Sequence, residues 1–318
     1  MSEVFFVGTD EAGYGPNLGP LVVSGTLWKW EIDSVPTSAD YLLSRLNSAL
    51  EPICCRTGPF PVFDSKKLYH SGHLAPLERS FFTALGLLGI RVSSFHALLT
   101  ALAPTVNKLS IADELPPWEE DIEGEIPLPE PIESLPVARE LGTLGISLLA
   151  VQSCRVHPKK FNQLLESGYL KSDILAEITL ELATQLTKKA QVNDPKVPVF
   201  VLCDKLGGRN RYLSLLQRFF PDNWFTTFEE SGSLSRYQTG NVQIQFQVKG
   251  ESNRPTALAS IFSKYLRERS MELFNRYWKK RYPKLTPTAG YPEDAKRFLT
   301  EIDPVRFGVA MDTLWRNK

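Results

Sequence analysis

VGTDEAGYGPNLGPLVV, residues 7–23, ends an apolar run in two adjacent carboxylates, Asp10 and Glu11, and packs glycines and prolines behind them. The residues leading in, EVFFVGTD, are β-branched and aromatic and read as a strand. GPLVVSGTLWKW reads as a second strand reached through the Gly/Pro turn, so the pair predicts a β-hairpin. A carboxylate beside a buried strand is expensive unless it is paired, hydrogen-bonded or bound to a cation. Neighbours on a strand point to opposite faces, so Asp10 and Glu11 are expected to converge where the chain leaves the strand. The glycines that follow permit such a turn.

Outward from this stretch, SADYLLSRLNSALEPI has helical spacing from a Ser cap, GPFPVFDSKKLYHSGHL reads as a loop, APLERSFFTALGLLG as a helix and IRVSSFHALL as a strand. Residues 103–136 are dense in Pro, Glu and Asp, with Lys108 the only base, and read as an acidic surface insertion. Strand GISLLAVQSCRV and helix KSDILAEITLELATQLTKKA follow. VPVFVLCD is nearly all apolar, as a strand covered on both faces would be. Then come helix RNRYLSLLQRFF, strands NWFTTFEE and VQIQFQVKG, and a long helix from Pro255 into a mixed tail. The mixed order predicts one α/β domain over residues 1–318, a mixed central sheet flanked by helices with a C-terminal helical region.

Among 318 residues, Lys and Arg balance Asp and Glu, so net charge points to no partner. Locally, residues 205–284 hold fifteen Lys or Arg against six Asp or Glu, which suggests a nucleic-acid face. Its aromatics are expected in the core, with Tyr277 and Trp278 as the stacking candidates. Cys54, Cys55, Cys154 and Cys203 make neither a disulfide framework nor a metal knuckle, and are read as reduced thiols of a cytoplasmic protein. The four histidines, His70, His73, His96 and His157, are read as surface or helix-end residues, not ligands. No signal peptide and no membrane span is evident.

Acidic residues recur at strand ends: Asp10 and Glu11, Asp204 after VPVFVLC, and Glu251 after VQIQFQVKG. Strand ends of an α/β sheet meet at one crevice. Four carboxylates without histidine make a hard-oxygen set suited to Mg²⁺ or Mn²⁺. Two such ions form a clamp for phosphodiester hydrolysis; solvated strand-end acids are the alternative.

DEAGYGPNLGPLVV resembles the opening motif of the type 2 ribonucleases H, the ribonuclease HII and HIII branch. FDSKKL resembles that family's Asp-Ser-Lys-Lys-Leu element, and VFVLCD its third acidic strand. VKGESNRPTALASIFSKYLRER is similar to its Lys-Gly-acid and Ala-Ser-Ile block, and GYP at 290–292 to its Gly-Tyr-Pro. The five blocks keep the family's order. The resemblance implies a ribonuclease H-like fold and a metal-dependent endoribonuclease using two Mg²⁺ or Mn²⁺ ions. Its substrate would be the RNA strand of RNA–DNA hybrids, or ribonucleotides embedded in duplex DNA, leaving 5′-phosphate and 3′-hydroxyl ends. Asp10, Glu11, Asp204 and Glu251 would be the catalytic metal ligands. Gly13, Tyr14, Gly15, Ser65, Lys66, Lys67, Lys264 and Tyr291 would contact substrate. Tyr14 stands where the family has Arg or Lys, which motivates an alternative, a hybrid-binding module with weak turnover. Glu251 resembles ribonuclease HIII, yet the catalytic strand stands at the start of the chain without that branch's N-terminal domain; the resemblance assigns neither branch.

Overall fold

The computed structural model describes residues 2–34, 38–69, 73–104, 115–120, 128–129 and 132–317. His70 and parts of the acidic segment lie outside the described residues. In chain order the elements begin with β1 (Ser2–Ala12), β2 (Leu21–Ile32), α1 (Ala39–Cys54), α2 (Ser65–Leu68), α3 (Ala75–Leu87), α4 (Phe95–Leu102), α5 (Pro117–Glu120) and α6 (Leu135–Thr143). Next are β3 (Ile146–Val156), α7 (Pro158–Glu166), α8 (Lys171–Ala190), β4 (Val199–Asp204) and α9 (Leu213–Phe219). The chain closes with β5 (Thr226–Glu230), β6 (Leu234–Thr239), β7 (Val242–Gln247), α10 (Arg254–Arg281), α11 (Pro292–Glu301) and α12 (Met311–Leu314).

One sheet runs in the order β3-β2-β1-β4-β7-β6-β5. The expected hairpin forms, with β1 antiparallel to β2 and β2 to β3. β1, β4 and β7 are mutually parallel in the centre. This mixed central sheet flanked by helices is the architecture expected of a ribonuclease H-like fold. Alternation along β1 explains the two layers: Val4 and Phe6 join the core on the α10 face, while Phe5 and Val7 join the core under α8. At Gly8 a β-carbon would overlap the Pro255 carbonyl, so the missing side chain lets α10 lie directly on the strand.

Several elements differ from expectation, beginning with α2, a helical turn inside the stretch read as a loop. IRVSSFHALL is not a strand: Ser94 accepts from Ala97 N–H at 3.1 Å and caps α4, whose Phe95, Leu98 and Leu102 are buried at helical spacing. β6 has no hydrophobic signature because its inward positions are Ser235, Tyr237 and Thr239. α6 and α7 were also not foreseen. Within the acidic segment, α5 docks onto the body: Trp118 is buried against Phe274 and Tyr277 of α10. Its neighbour Glu119 is buried too, pairing with Arg155 at 2.8 Å and with His157 at 3.5 Å.

Candidate active site

Pairing of β1 with β4 stops at Thr9 and Cys203, whereas pairing with β2 continues through Ala12. Asp10 and Glu11 therefore remain in the hairpin while their β4 side opens, so they converge past the end of β4 and not after β1 itself. Asp204 is the last residue of β4. Lys249 then takes a left-handed backbone (φ 59°), the one non-glycine to do so among the described residues. That turn brings Gly250 N–H onto Asp204 Oδ1 at 3.0 Å and carries Glu251 to the same place. All four acids line one cleft of about 310 Å³.

The cleft is electrostatically strained toward a cation. Burial, then the charge of Glu11 and that of Asp204, push the Asp10 carboxyl well above the usual carboxylate range, although the Ser260 hydroxyl and Glu11 N–H (2.8 Å) oppose the shift. Burial and Asp204 push Glu11 up to about 7, with Lys66 opposing. Bound divalent ions would reverse this, because they favour the ionised forms. The donor set fits hard ions, and Mg²⁺ keeps waters and takes one or two carboxylates plus substrate phosphate instead of a closed protein cage. Among the described residues, no three acidic, His or Cys side chains stand placed to hold a metal ion by themselves.

The Glu11 shift has a testable sign. The unfolded chain releases this proton near 4.5, the folded chain near 7. Metal-free stability from Glu11 is therefore lost as pH rises from about 4.5 to about 7. His157 works in the opposite direction, since burial lowers it to about 4 and the unfolded chain gains the proton first as pH falls. Comparison with Glu11→Gln isolates the carboxyl: in EDTA, the variant's gain in melting temperature over wild type should grow between pH 5 and pH 8. An equal gain at both values contradicts the assignment.

The other expected contacts divide. Gly13, Tyr14, Gly15, Ser65, Lys66, Lys264 and Tyr291 all line the cleft. Ser65 is buried with its hydroxyl 2.9 Å from that of Ser260, so it joins α2 to α10. Lys66 lines the same cleft, close enough for its charge to act on Glu11. Lys67 is not part of the lining; its exposed ammonium lies 4.0 Å from Asp64, because successive residues of a helical turn cannot share a face. Lys264 lines the wall but donates to Glu268 at 2.6 Å and lies over the Tyr69 ring at 4.4 Å. Tyr14 is half-buried with Lys171 Nζ 4.6 Å from its ring centre, and burial raises its phenol. Tyr291 is 54% exposed at the rim.

Part of the basic window is neutralised by acids from outside it. Arg209, Arg218, Arg236 and Arg254 pair with Asp173, Glu177, Asp40 and Glu51, all outside residues 205–284. Window charge counts miss such partners because they come from distant chain segments. Tyr277 and Trp278, the stacking candidates, are buried in the core with the other aromatics of that helix and are not available to stack on a base. The cysteines are free. His157 caps α7 and is buried, whereas His73 and His96 are exposed. Asp312 is exposed on α12 and outside the cleft lining.

Two buried arginines were not found from sequence. Arg267, one turn before Met271 on α10, lines the cleft and donates to Ala289 O at 2.9 Å. Arg316, in the tail, donates to the carbonyls of Gly13 and Pro16. Arg267 stands in the recognised block and was open to notice; nothing local marks Arg316.

No family model matches this chain, and no curated protein does. Among solved structures, it is similar to ribonuclease HII of Archaeoglobus fulgidus, described in a complex with PCNA, at 15% identity and TM-score 0.45, covering 99% of this chain and 94% of that one. A type 2 ribonuclease H from Pyrococcus horikoshii matches at 16% identity and TM-score 0.45, covering 98% and 92%. Bst ribonuclease HIII in complex with Mn²⁺ matches at 13% identity and TM-score 0.44, covering 99% and 67%. Residue roles rest on the cleft itself. Among the described residues no helix is long and apolar enough to cross a membrane.

Proposed function

We propose that this chain is a divalent-metal-dependent endoribonuclease that hydrolyses the RNA strand of RNA–DNA hybrids, or ribonucleotides embedded in duplex DNA. One observation carries the reading: four carboxylates from three separated segments line a single cleft in which burial and mutual repulsion leave Asp10 and Glu11 in want of a cation. A structural role would not gather like charges at such cost. Asp10, Glu11, Asp204 and Glu251 would hold a pair of Mg²⁺ or Mn²⁺ ions. Bound there, the ions would supply activation of water and stabilisation of the leaving oxygen.

The chain's own residues account for substrate approach. Lys66, in the same cleft as the acids, gives a sequence-blind contact to phosphate. The Gly13–Gly15 backbone comes close to the sugar, where the 2′-hydroxyl separates RNA from DNA. Tyr291, at the rim, offers a ring to a sugar or base. Ser263 Oγ donates to Asp10 O at 2.9 Å and fixes the main chain behind the acids. Products with 5′-phosphate and 3′-hydroxyl ends are part of the proposal.

The test is cleavage-site mapping on two labelled duplexes, one with a single embedded ribonucleotide and one with a continuous RNA strand, with Mg²⁺ or Mn²⁺. Hydrolysis of either, stopped by EDTA, supports the reading, and their ratio assigns substrate preference. Intact duplexes under every metal condition, with a folded protein, would overturn it.

A further inference from the structure

We infer that the C-terminal tail belongs to the substrate site, with Arg316 as a positioning residue that sets the Gly13–Pro16 loop for the incoming strand; this rests on the function proposed above. Arg316 is 1% exposed, and its Nη2 donates to Gly13 O and Pro16 O, which bracket the cleft-lining loop. Its main chain is doubly tied to the end of that loop: Arg316 N–H donates to Asn17 O at 2.7 Å, and Asn17 Nδ2 to Arg316 O at 2.8 Å. From behind, Asn162 Nδ2 donates to Trp315 O at 2.7 Å, Asn317 N–H to Asn162 Oδ1 at 2.8 Å, and the Phe161 ring lies 4.9 Å from the guanidinium.

No carboxylate among the described residues forms a salt bridge with Arg316, so the buried charge is compensated by carbonyl dipoles and the ring. An apolar side chain would fill the same space without that desolvation cost. What the guanidinium adds is one nitrogen, Nη2, that holds the Gly13 and Pro16 carbonyls together. A trans peptide is planar, so the Gly13 carbonyl held by Arg316 aims the N–H of Tyr14, a cleft-lining residue, the opposite way. No main-chain acceptor among the described residues takes that N–H. It is a donor suited to a phosphate or sugar oxygen. Gly13 itself, at φ 87°, is pinned from the other side, where a β-carbon would stand 2.5 Å from Arg267 Nε. The loop is thus held from a residue 303 positions away.

The full chain carrying Arg316→Ala or Arg316→Lys tests this by hybrid hydrolysis with Mn²⁺ and by amide hydrogen exchange. Expected for Arg316→Ala is a KM raised about tenfold or more with kcat within about threefold, the pattern of lost binding that ground and transition states share. Arg316→Lys should fall between, because an ammonium keeps the charge and can donate, but lacks the planar guanidinium that places Nη2 on both carbonyls and lies over the Phe161 ring. Exchange should quicken at residues 12–17 and stay slow in β4 and α8. An unchanged KM, or exchange unaltered in the loop, overturns the inference; so does a loss of folded protein at constant KM, which is a structural role alone. Should Arg316→Ala fail to fold, Arg316→Lys carries the comparison. A wild-type protein that binds and cleaves no hybrid defeats the nuclease reading instead, and the exchange pattern then still decides whether Arg316 holds the loop.

Discussion

Asp10→Asn is expected to lower metal-dependent hydrolysis of an RNA–DNA hybrid by at least about 10³-fold while raising the melting temperature of the metal-free protein. The first effect follows from removing one ligand charge from a site whose ions supply several kcal/mol of transition-state stabilisation, each ~1.4 kcal/mol being tenfold in rate. The amide has the carboxylate's shape, so the cleft keeps its form. The second effect has the opposite sign and the same cause. Burial, Glu11 and Asp204 together disfavour the ionised Asp10 carboxyl, so at neutral pH folding must either bury that charge or take up a proton, a cost the unfolded chain does not carry. An amide removes that charge. Initial rates on a labelled hybrid and melts in EDTA at pH 7.5 check both. Wild-type turnover by Asp10→Asn would end the proposed role of Asp10. A lowered metal-free melting temperature would show that the carboxylate is structural.

Trp118→Ala is expected to destabilise the fold by about 3–5 kcal/mol, the range for a large aromatic deleted from a core. Trp118 is 2% exposed and meets Phe274 edge-on at 4.9 Å between ring centres. Its loss would leave a cavity over α10 and loosen the clasp in which Glu119 receives Arg155 Nη1 on both carboxylate oxygens at 2.8 Å. Burial alone would raise Glu119, yet Arg155 and His157 hold its carboxyl below the usual range, so this acid stays ionised inside the protein. Denaturant unfolding measures the change. A cost below about 1 kcal/mol would mean that α5 contributes surface cover only.

These two residues differ in how far the sequence reveals them. Asp10 is legible because it ends an apolar strand beside a second acid, and its partners recur at later strand ends. Trp118 is not, because it stands alone in a run of Pro, Glu and Asp that has no periodicity. A short helix with one anchoring ring gives no repeating pattern to detect. The same limit hid β6, whose buried side is polar, and turned α4 into a predicted strand, since the apolar residues before Ser94 alternate and the cap that starts the helix is a single hydroxyl. Lys67 was expected beside Lys66 because the motif contains both, yet a helical turn sends neighbours to different sides.

Sequence by itself determined the hairpin, the central apolar strands, the long helices and the four acids at strand ends, because each is written in contiguous residues with a period of its own. Only the tertiary structure decided which charges survive as free charges, what the acidic segment buries, and how the Gly13–Pro16 loop is held. Those depend on partners scores to hundreds of residues away, such as Arg236 with Asp40 and Arg316 with Gly13. The physical reason is that burial and pairing belong to sites where distant segments meet, and no local window of the chain contains both sides of such a contact.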